Sequence, residues 1–473
     1  MFVARLALGL CLILAGAVII LHACILPYAM WQGDEYDYFY NFAHNGRNFF
    51  WHRLLFWSPR PLSESVIALY GAAITHFNVP LIGPALGVIW AACGALAFLP
   101  TLLTRNIPLN ARLFFFALGG IIVFLGHPVA DLMFWPMAAA AHLPVFAALL
   151  CLTLRTLTNS KSSWLTVLCL SVAATASEAG FFFTTSYLCV QMLAAVRARN
   201  ILPPGLWIPA LCCGFVAWRL LAGRISLPHP HSSPTQGMTL ASIKASIVPF
   251  FHNLAVLQPI DTSAGGTDGG DIFHGIVLKI ILALSSFAAL RATALRPSIG
   301  ALTTLSISLL ACQALTIASA YYEFGFLCCQ RHETLRLEIS LLLALLVGGY
   351  AARCIPRFHF STACLRGLAC LGLLLFTLDT ALWRLPNLVL FFQSRTAEAE
   401  ARNTTWQSGM STGSEMTMRQ GTNSAIFYYW PWEPGQYTTG KASWDVEAMM
   451  RFFGKTRLVI LPPLPVSITT RIH

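Results

Sequence analysis

Charge is what this sequence has least of. Only 10% of its 473 residues are Asp, Glu, Lys or Arg, where a soluble domain carries about 25%. Acids are the scarcer sign, 19 against 30 basic residues, and only five of the 30 are lysine. With 56% hydrophobic residues and a mean hydropathy of +0.66, so little charge excludes a single soluble core, a disordered chain and a coiled coil. There is no Cys-x-x-Cys pair and no Cys/His spacing that suits zinc. The 14 cysteines lie mostly inside apolar runs, so they read as small apolar filler and not as a disulfide framework. No internal repeat is visible, which gives no support to a transporter built from two matched halves.

What is present is a series of long apolar runs. A transmembrane helix needs about 20 such residues. Runs that reach or approach this length occupy 5–28, 79–103, 111–127, 138–157, 163–177, 180–196, 204–222, 273–290, 298–319, 337–353 and 365–384. The expectation is an all-α polytopic membrane protein of about eleven spans. The run 64–77 is shorter and is broken by Asn78-Val79-Pro80, so it is expected to lie in the interface or to re-enter. The first span runs straight on into Trp31 and is expected to stay as an anchor.

Charge placement orients the spans. With the N-terminus inside, the inner loops and their edges hold Arg5, Arg105, Arg112, Arg155, Lys161, Arg197, Arg199, Arg291, Arg296, Arg353, Arg357 and Arg366, and no acid. This is the positive-inside pattern, and it explains the net charge of +11 more simply than nucleic-acid binding does. It leaves the C-terminus outside. Counting 64–77 as a span would invert every later loop. The chain then divides into a membrane module, 1–384, with a long first outer loop over 30–78, and an outer C-terminal region, 385–473. That region carries six acids, the aromatic stretch 427–432 and the strand-like run Arg457-Leu458-Val459-Ile460-Leu461, as a small α/β unit would. Asn403-Thr404-Thr405 is a glycosylation sequon, meaningful only in a chain that enters an endoplasmic reticulum.

All 13 acids before the tail fall outside, at an outer span edge, or in the spans 337–353 and 365–384, so acid–base chemistry is expected at the outer face. The first outer loop opens Trp31-Gln32-Gly33-Asp34-Glu35-Tyr36-Asp37-Tyr38. Asp34 and Asp37 share one helical face. Crowded, part-buried carboxylates raise one another's pKa, as a base for a hydroxyl requires; solvated helix-capping acids are the plainer alternative. Arg60, before the Pro61 helix start, suits a phosphate or a lipid headgroup.

An acidic pair directly after span one, followed by a long outer loop with juxtamembrane helices, resembles the GT-C superfamily of integral membrane glycosyltransferases, and most nearly its bacterial branch of envelope glycan and lipid-modifying enzymes. The matching residues are Asp34-Glu35 and the segment Asn41 to Phe77 with its Arg60-Pro61-Leu62-Ser63 stretch. The likeness covers the order of spans and the first loop, about a third of the chain. It implies a GT-C-like arrangement and inverting transfer of a sugar from a polyprenyl-phosphate carrier to an envelope glycan, glycolipid or protein acceptor. It places the site on the periplasmic side of a bacterial inner membrane, among membrane lipids and with no role for nucleic acid. Asp34 would be the base, with Glu35 as its partner or a metal ligand. Asp131, in His127-Pro128-Val129-Ala130-Asp131, would be the second acid of the next outer loop, unless it only caps a helix.

The resemblance also assigns late outer-loop cations to the carrier phosphate. Arg331, His332 and Arg336 in the loop 320–337 fit this, and the two arginines oppose the orientation rule there; anionic headgroups are the alternative. Asp37 and Glu178 complete the substrate-binding candidates, Glu178 at a membrane edge where a structural role competes. The loop 223–272, with His229, His231, Asp261, Asp268 and Asp271, is expected to be mobile and to close over the site; its spacing misses the EF-hand. A divalent metal is optional in the superfamily, and no cofactor is implied with certainty. The competing class is a transporter or flippase of a lipid-linked or small polar substrate, which would want charge near mid-membrane. Away from the span edges only Lys279 and Asp379 supply it.

Overall fold

The computed structural model describes residues 2–29, 31, 33–103, 107–125, 133–160, 162–226, 240–256, 272–293, 295–324, 327, 330–356, 360–420 and 433–462. Its helices in chain order are α1 (Phe2–Ile25), α2 (Gly33–His52), α3 (Pro61–Phe77), α4 (Ile82–Leu103), α5 (Leu109–Leu125), α6 (Pro136–Leu157), α7 (Ser163–Ala176) and α8 (Glu178–Arg197). There follow α9 (Trp207–Ser226), α10 (Leu240–Ala255), α11 (Ile272–Ala292), α12 (Ile299–Phe324), α13 (Gln330–Cys354), α14 (Thr362–Met410) and α15 (Trp444–Phe452). Among the described residues nine helices are long and apolar enough to cross a membrane, which makes this a multi-pass membrane protein. The other two expected runs form apolar helices that fall short of that length, α5 with 17 residues and α7 with 14.

Helix α6 is the axis of the bundle. In its candidate membrane window 94% of residues are buried inside the protein. Helices α3, α4, α5, α7, α12 and α13 all pack against it. A helix that is apolar on every side is stable only when wrapped in this way or in lipid. α7 and α8 meet across Ser177 alone, whose hydroxyl accepts from the Gly180 amide at the start of α8. Glycine is needed there, because a Cβ on Gly180 would lie 2.0 Å from the Ala173 carbonyl oxygen.

The run 64–77 forms the body of α3, which lies against α2, α6 and α7. Pro61 opens it, where a missing N–H is harmless, and Asn78 closes it in the left-handed conformation (φ 53°). The structure departs from the sequence expectation in two loops. Part of 223–272 is a helix, α10, packed on α11, α12 and α13. Within it Asn253 is buried, whereas His229, His231, Asp261, Asp268 and Asp271 lie outside the described residues. Within 320–337, the segment from Gln330 is already helical. Arg331, Glu333 and Arg336 depress hydropathy there, but Gln, Arg, Glu and Leu all favour helix.

α14 runs unbroken for 49 residues across position 384, and the chain then enters a small sheet. Strands β1 (Glu415–Arg419), β2 (Gly435–Thr438) and β3 (Arg457–Leu461) lie in the order β1-β3-β2, with β1 parallel and β2 antiparallel to β3. The run 457–461 is the central strand, as its run of apolar, partly β-branched residues predicts. Met416, Met418, Leu458 and Ile460 turn inward with Val446, Met449 and Met450 of α15 to form the core of this unit. Lys455 is buried at its base, donating to the Ser411 carbonyl and, at 2.7 Å, to that of Gly413. Replacing Lys455 by Ala leaves both carbonyls without their donor. The expected cost is about 1–3 kcal/mol, seen as a lower unfolding temperature and faster proteolysis of the C-terminal unit in the full-length protein.

Candidate functional site

The first-loop residues gather at one end of the bundle, around the start of α6. α2 begins with Asp34 and Glu35 in its first turn, where acids complement the helix dipole. Glu35 is fully buried, and its Oε1 accepts from the Met137 amide at 3.1 Å. Pro136 and Met137 form the first turn of α6, whose own N-cap residue, Trp135, makes no side-chain cap. The carboxylate of a helix 102 residues away in sequence therefore caps the central helix. Asp34 beside it is only half-buried.

An aromatic cluster holds α2 in place. Trp31 donates to the Tyr70 hydroxyl at 2.8 Å, and its ring meets Tyr36, Phe39, Trp406 and Phe452 at 4.9–5.5 Å. Burial pushes the Tyr36 phenol well above its ordinary pKa, and the Glu35 charge adds to the shift. Burial does the same to Tyr38, with Glu64 raising and Arg53 lowering it, and to Tyr70. These phenols stay protonated at physiological pH, so carboxyl and imidazole groups are the proton acceptors at this end.

Three charged pairs tie the elements together. Arg60, the residue before α3, grips Glu178 at the start of α8 as a fork, with Nε to Oε1 at 2.8 Å and Nη2 to Oε2 at 2.7 Å. Two candidate substrate-binding residues thus bind each other, each about a third exposed. Arg53 makes the same fork to Glu64 at 3.0 and 3.1 Å and stacks over Tyr38, its Cζ 5.0 Å from the ring centroid. Asp37 pairs with Arg451 of α15. Sequence reading assigned no role to Arg53, Glu64 or Arg451, because these partners are 11 and 414 residues apart and no local spacing signals either contact.

Of the late basic residues, His332 reaches the same end of α6 from α13. His332 and His142 stack edge to face, ring centroids 5.0 Å apart. His142 lies five residues, about 7.5 Å of helix rise, beyond Met137, so Glu35 and His332 approach the first two turns of α6 from different helices. Arg336 is almost fully buried, within a helix and not on the loop expected for it. Arg331 lies in the first turn of α13, but its side chain is not described. Asp131 falls outside the described residues. Among the described residues no three His, Cys, Asp or Glu side chains are placed to share a metal ion.

Sequence reading passed over one further group. Glu338 is completely buried in α13 and Gln313 in α12, and neither side chain has a hydrogen-bond partner among the described residues. Glu338 sits at the edge of an apolar run, which hid it. No protein-family profile, curated protein or solved structure matches this chain.

Two variants separate capping from chemistry at Glu35. Glu35→Gln keeps an acceptor for the Met137 amide and is expected to fold normally. Glu35→Ala orphans a buried amide at a helix N-terminus and is expected to lose about 1–3 kcal/mol of stability, measured by thermal unfolding in detergent. For the half-exposed Arg60–Glu178 fork, a double-mutant cycle is expected to give a coupling of about 0.5–1 kcal/mol.

Proposed function

We propose that this chain is a membrane glycosyltransferase of the GT-C type, moving a sugar from a polyprenyl-phosphate carrier to a glycan, glycolipid or protein acceptor at the outer face of the membrane, with the α2 end of the bundle facing the periplasm. The observation that carries this reading is the arrangement at Asp34. A half-buried carboxylate lies beside a sealed one at the membrane-proximal start of α2. His332 meets the same end of α6, and Arg336 is buried one helical turn further along α13. In the proposed reaction Asp34 takes the proton of an acceptor hydroxyl. The oxygen attacks the anomeric carbon in line and inverts it, and the bond to the prenyl phosphate breaks with its electron pair going to the phosphate oxygen. Arg336 and His332, with Arg331, offer the departing phosphate positive charge. Glu35 acts by holding α2 against α6.

Asp34→Asn keeps the shape and removes the proton acceptor. Transfer is expected to fall about 10²-fold or more with unchanged expression, read as product glycan or glycolipid by mass analysis. Near-normal transfer by this variant sinks the reading. A reporter fused after the C-terminal residue is expected to be active only outside the cytoplasm; activity inside would turn the α2 end the wrong way.

A second reading, movement of a lipid-linked or small polar substrate across the membrane, draws its support from Glu338 and Gln313, polar groups sealed within helices of membrane-spanning length. Transport requires alternating access, so cysteines near residue 338 that react with impermeant reagents from both sides in turn would favour it over transfer.

A further inference from the structure

The C-terminal unit touches α2 on both sides of Asp34. Before it, a Cβ on Gly33 would lie 2.6 Å from the Asp445 Cβ and 3.1 Å from the Asp445 Cα. The start of α15 therefore rests on α2 at a point where only glycine fits. After it, Asp37 pairs with Arg451 on the same helix α15, and the Arg451 guanidinium lies over the Tyr40 ring at 5.1 Å. Beneath it, Trp31 is closed in by Trp406 of α14 and Phe452 of α15, each 5.5 Å away edge to face. Phe453 in turn packs on Gly409, where a Cβ would lie 2.5 Å from its ring. α15 is thus wedged between α2 and the end of α14.

Resting on the reading of Asp34 as base, we propose that the C-terminal α/β unit is a clamp that sets the position of the Asp34 carboxylate, with Gly33, Asp37 and Arg451 as its positioning residues. The physical reason is leverage. Residues 33, 34 and 37 span little more than one helical turn. A helix fixed sterically at one of them and by a charge pair at another has little freedom left to rotate the third. Glu35 fixes the remaining side of the same turn against α6. The clamp gives the C-terminal unit a part in the reaction although none of its side chains need touch the sugar.

The test uses the full-length protein in membranes. Asp34→Cys is treated with a charged, membrane-impermeant maleimide, and labelling of the peptide carrying residue 34 is followed by mass spectrometry, which separates it from the native cysteines. With the clamp intact, labelling is expected to be slow. Adding Gly33→Val, or Arg451→Glu, is expected to speed it about tenfold. Combining Asp37→Lys with Arg451→Glu restores the opposite-charge pair and is expected to return labelling most of the way, which general unfolding would not allow. Unchanged labelling in both single variants, or no recovery with the swapped pair, overturns the clamp. With native Asp34, Arg451→Lys is expected to lower kcat several-fold and leave KM in place. Failure of the transferase reading shows separately, as full transfer by Asp34→Asn, and leaves the labelling result to stand or fall on its own.

Discussion

A helix that begins inside protein has amide donors that water cannot reach, and this structure is organised around one. α6 is wrapped for nearly its whole length, and its first turn carries a proline, a tryptophan N-cap and no local side-chain acceptor. In a dry setting an orphaned donor costs about as much as a lost hydrogen bond. The acceptor comes from Glu35, and bringing it there fixes α2 against the mouth of the bundle. The rest of this end follows from that contact. Trp31 and Tyr70 lock α2 to α3, and α3 fills the space between α2, α6 and α7.

The same contact divides the work of the acids that open the first loop. One is consumed in holding the scaffold, and another, Asp37, in holding the C-terminal unit. Asp34, next to Glu35 and one turn from Asp37, lies on a turn pinned from two directions. A group proposed to take a proton from a substrate benefits from such rigid support. His332 of α13 approaches the same two turns of α6, so the end of one buried helix meets a carboxylate, that of Glu35, and an imidazole.

Much of this was readable in advance, and the failures have physical causes. Hydropathy located all eleven apolar helices, because burial in lipid or protein selects apolar residues in either case. For that reason it could not tell lengths apart, and among the described residues α5 and α7 are shorter than a full span. The strand at 457–461 was visible because a short run of apolar, partly β-branched residues is a local signal. The change of composition at 385 was visible too, but residues 393–402 are rich in helix formers, and α14 continues through it. Long-range partnerships left no local trace. Nothing near Arg60 announces Glu178, 118 residues on, and nothing near Glu35 announces an amide in another helix. Arg331 and Arg336 looked like loop residues only because hydropathy windows penalise charge, even at Arg336, which the helix buries.

The acid-free loops acquire a structural explanation from what the arginines at each end touch. At the α2 end, Arg53 and Arg60 are held in two-pronged contact with Glu64 and Glu178. At the opposite end, the basic residues meet backbone. Arg155, in the last turn of α6, donates to the Ser162 carbonyl at 2.9 Å. Arg291, in the last turn of α11, donates to the carbonyls of Ile355 and Pro356 just beyond α13. The last carbonyls of a helix have no partner within it and carry its partial negative charge. Past the end of α13 the Ile355 and Pro356 carbonyls supply both the acceptors and the field that Arg291 needs, whereas Arg155 meets the N-cap residue of α7. Because neighbouring spans alternate in direction, each face carries both helix starts and helix ends, and polarity alone does not sort the charges. The sorting follows from particular partners: the start of α6 takes the Glu35 carboxylate, Glu64 and Glu178 take the Arg53 and Arg60 forks, and backbone carbonyls satisfy the arginines at the opposite end.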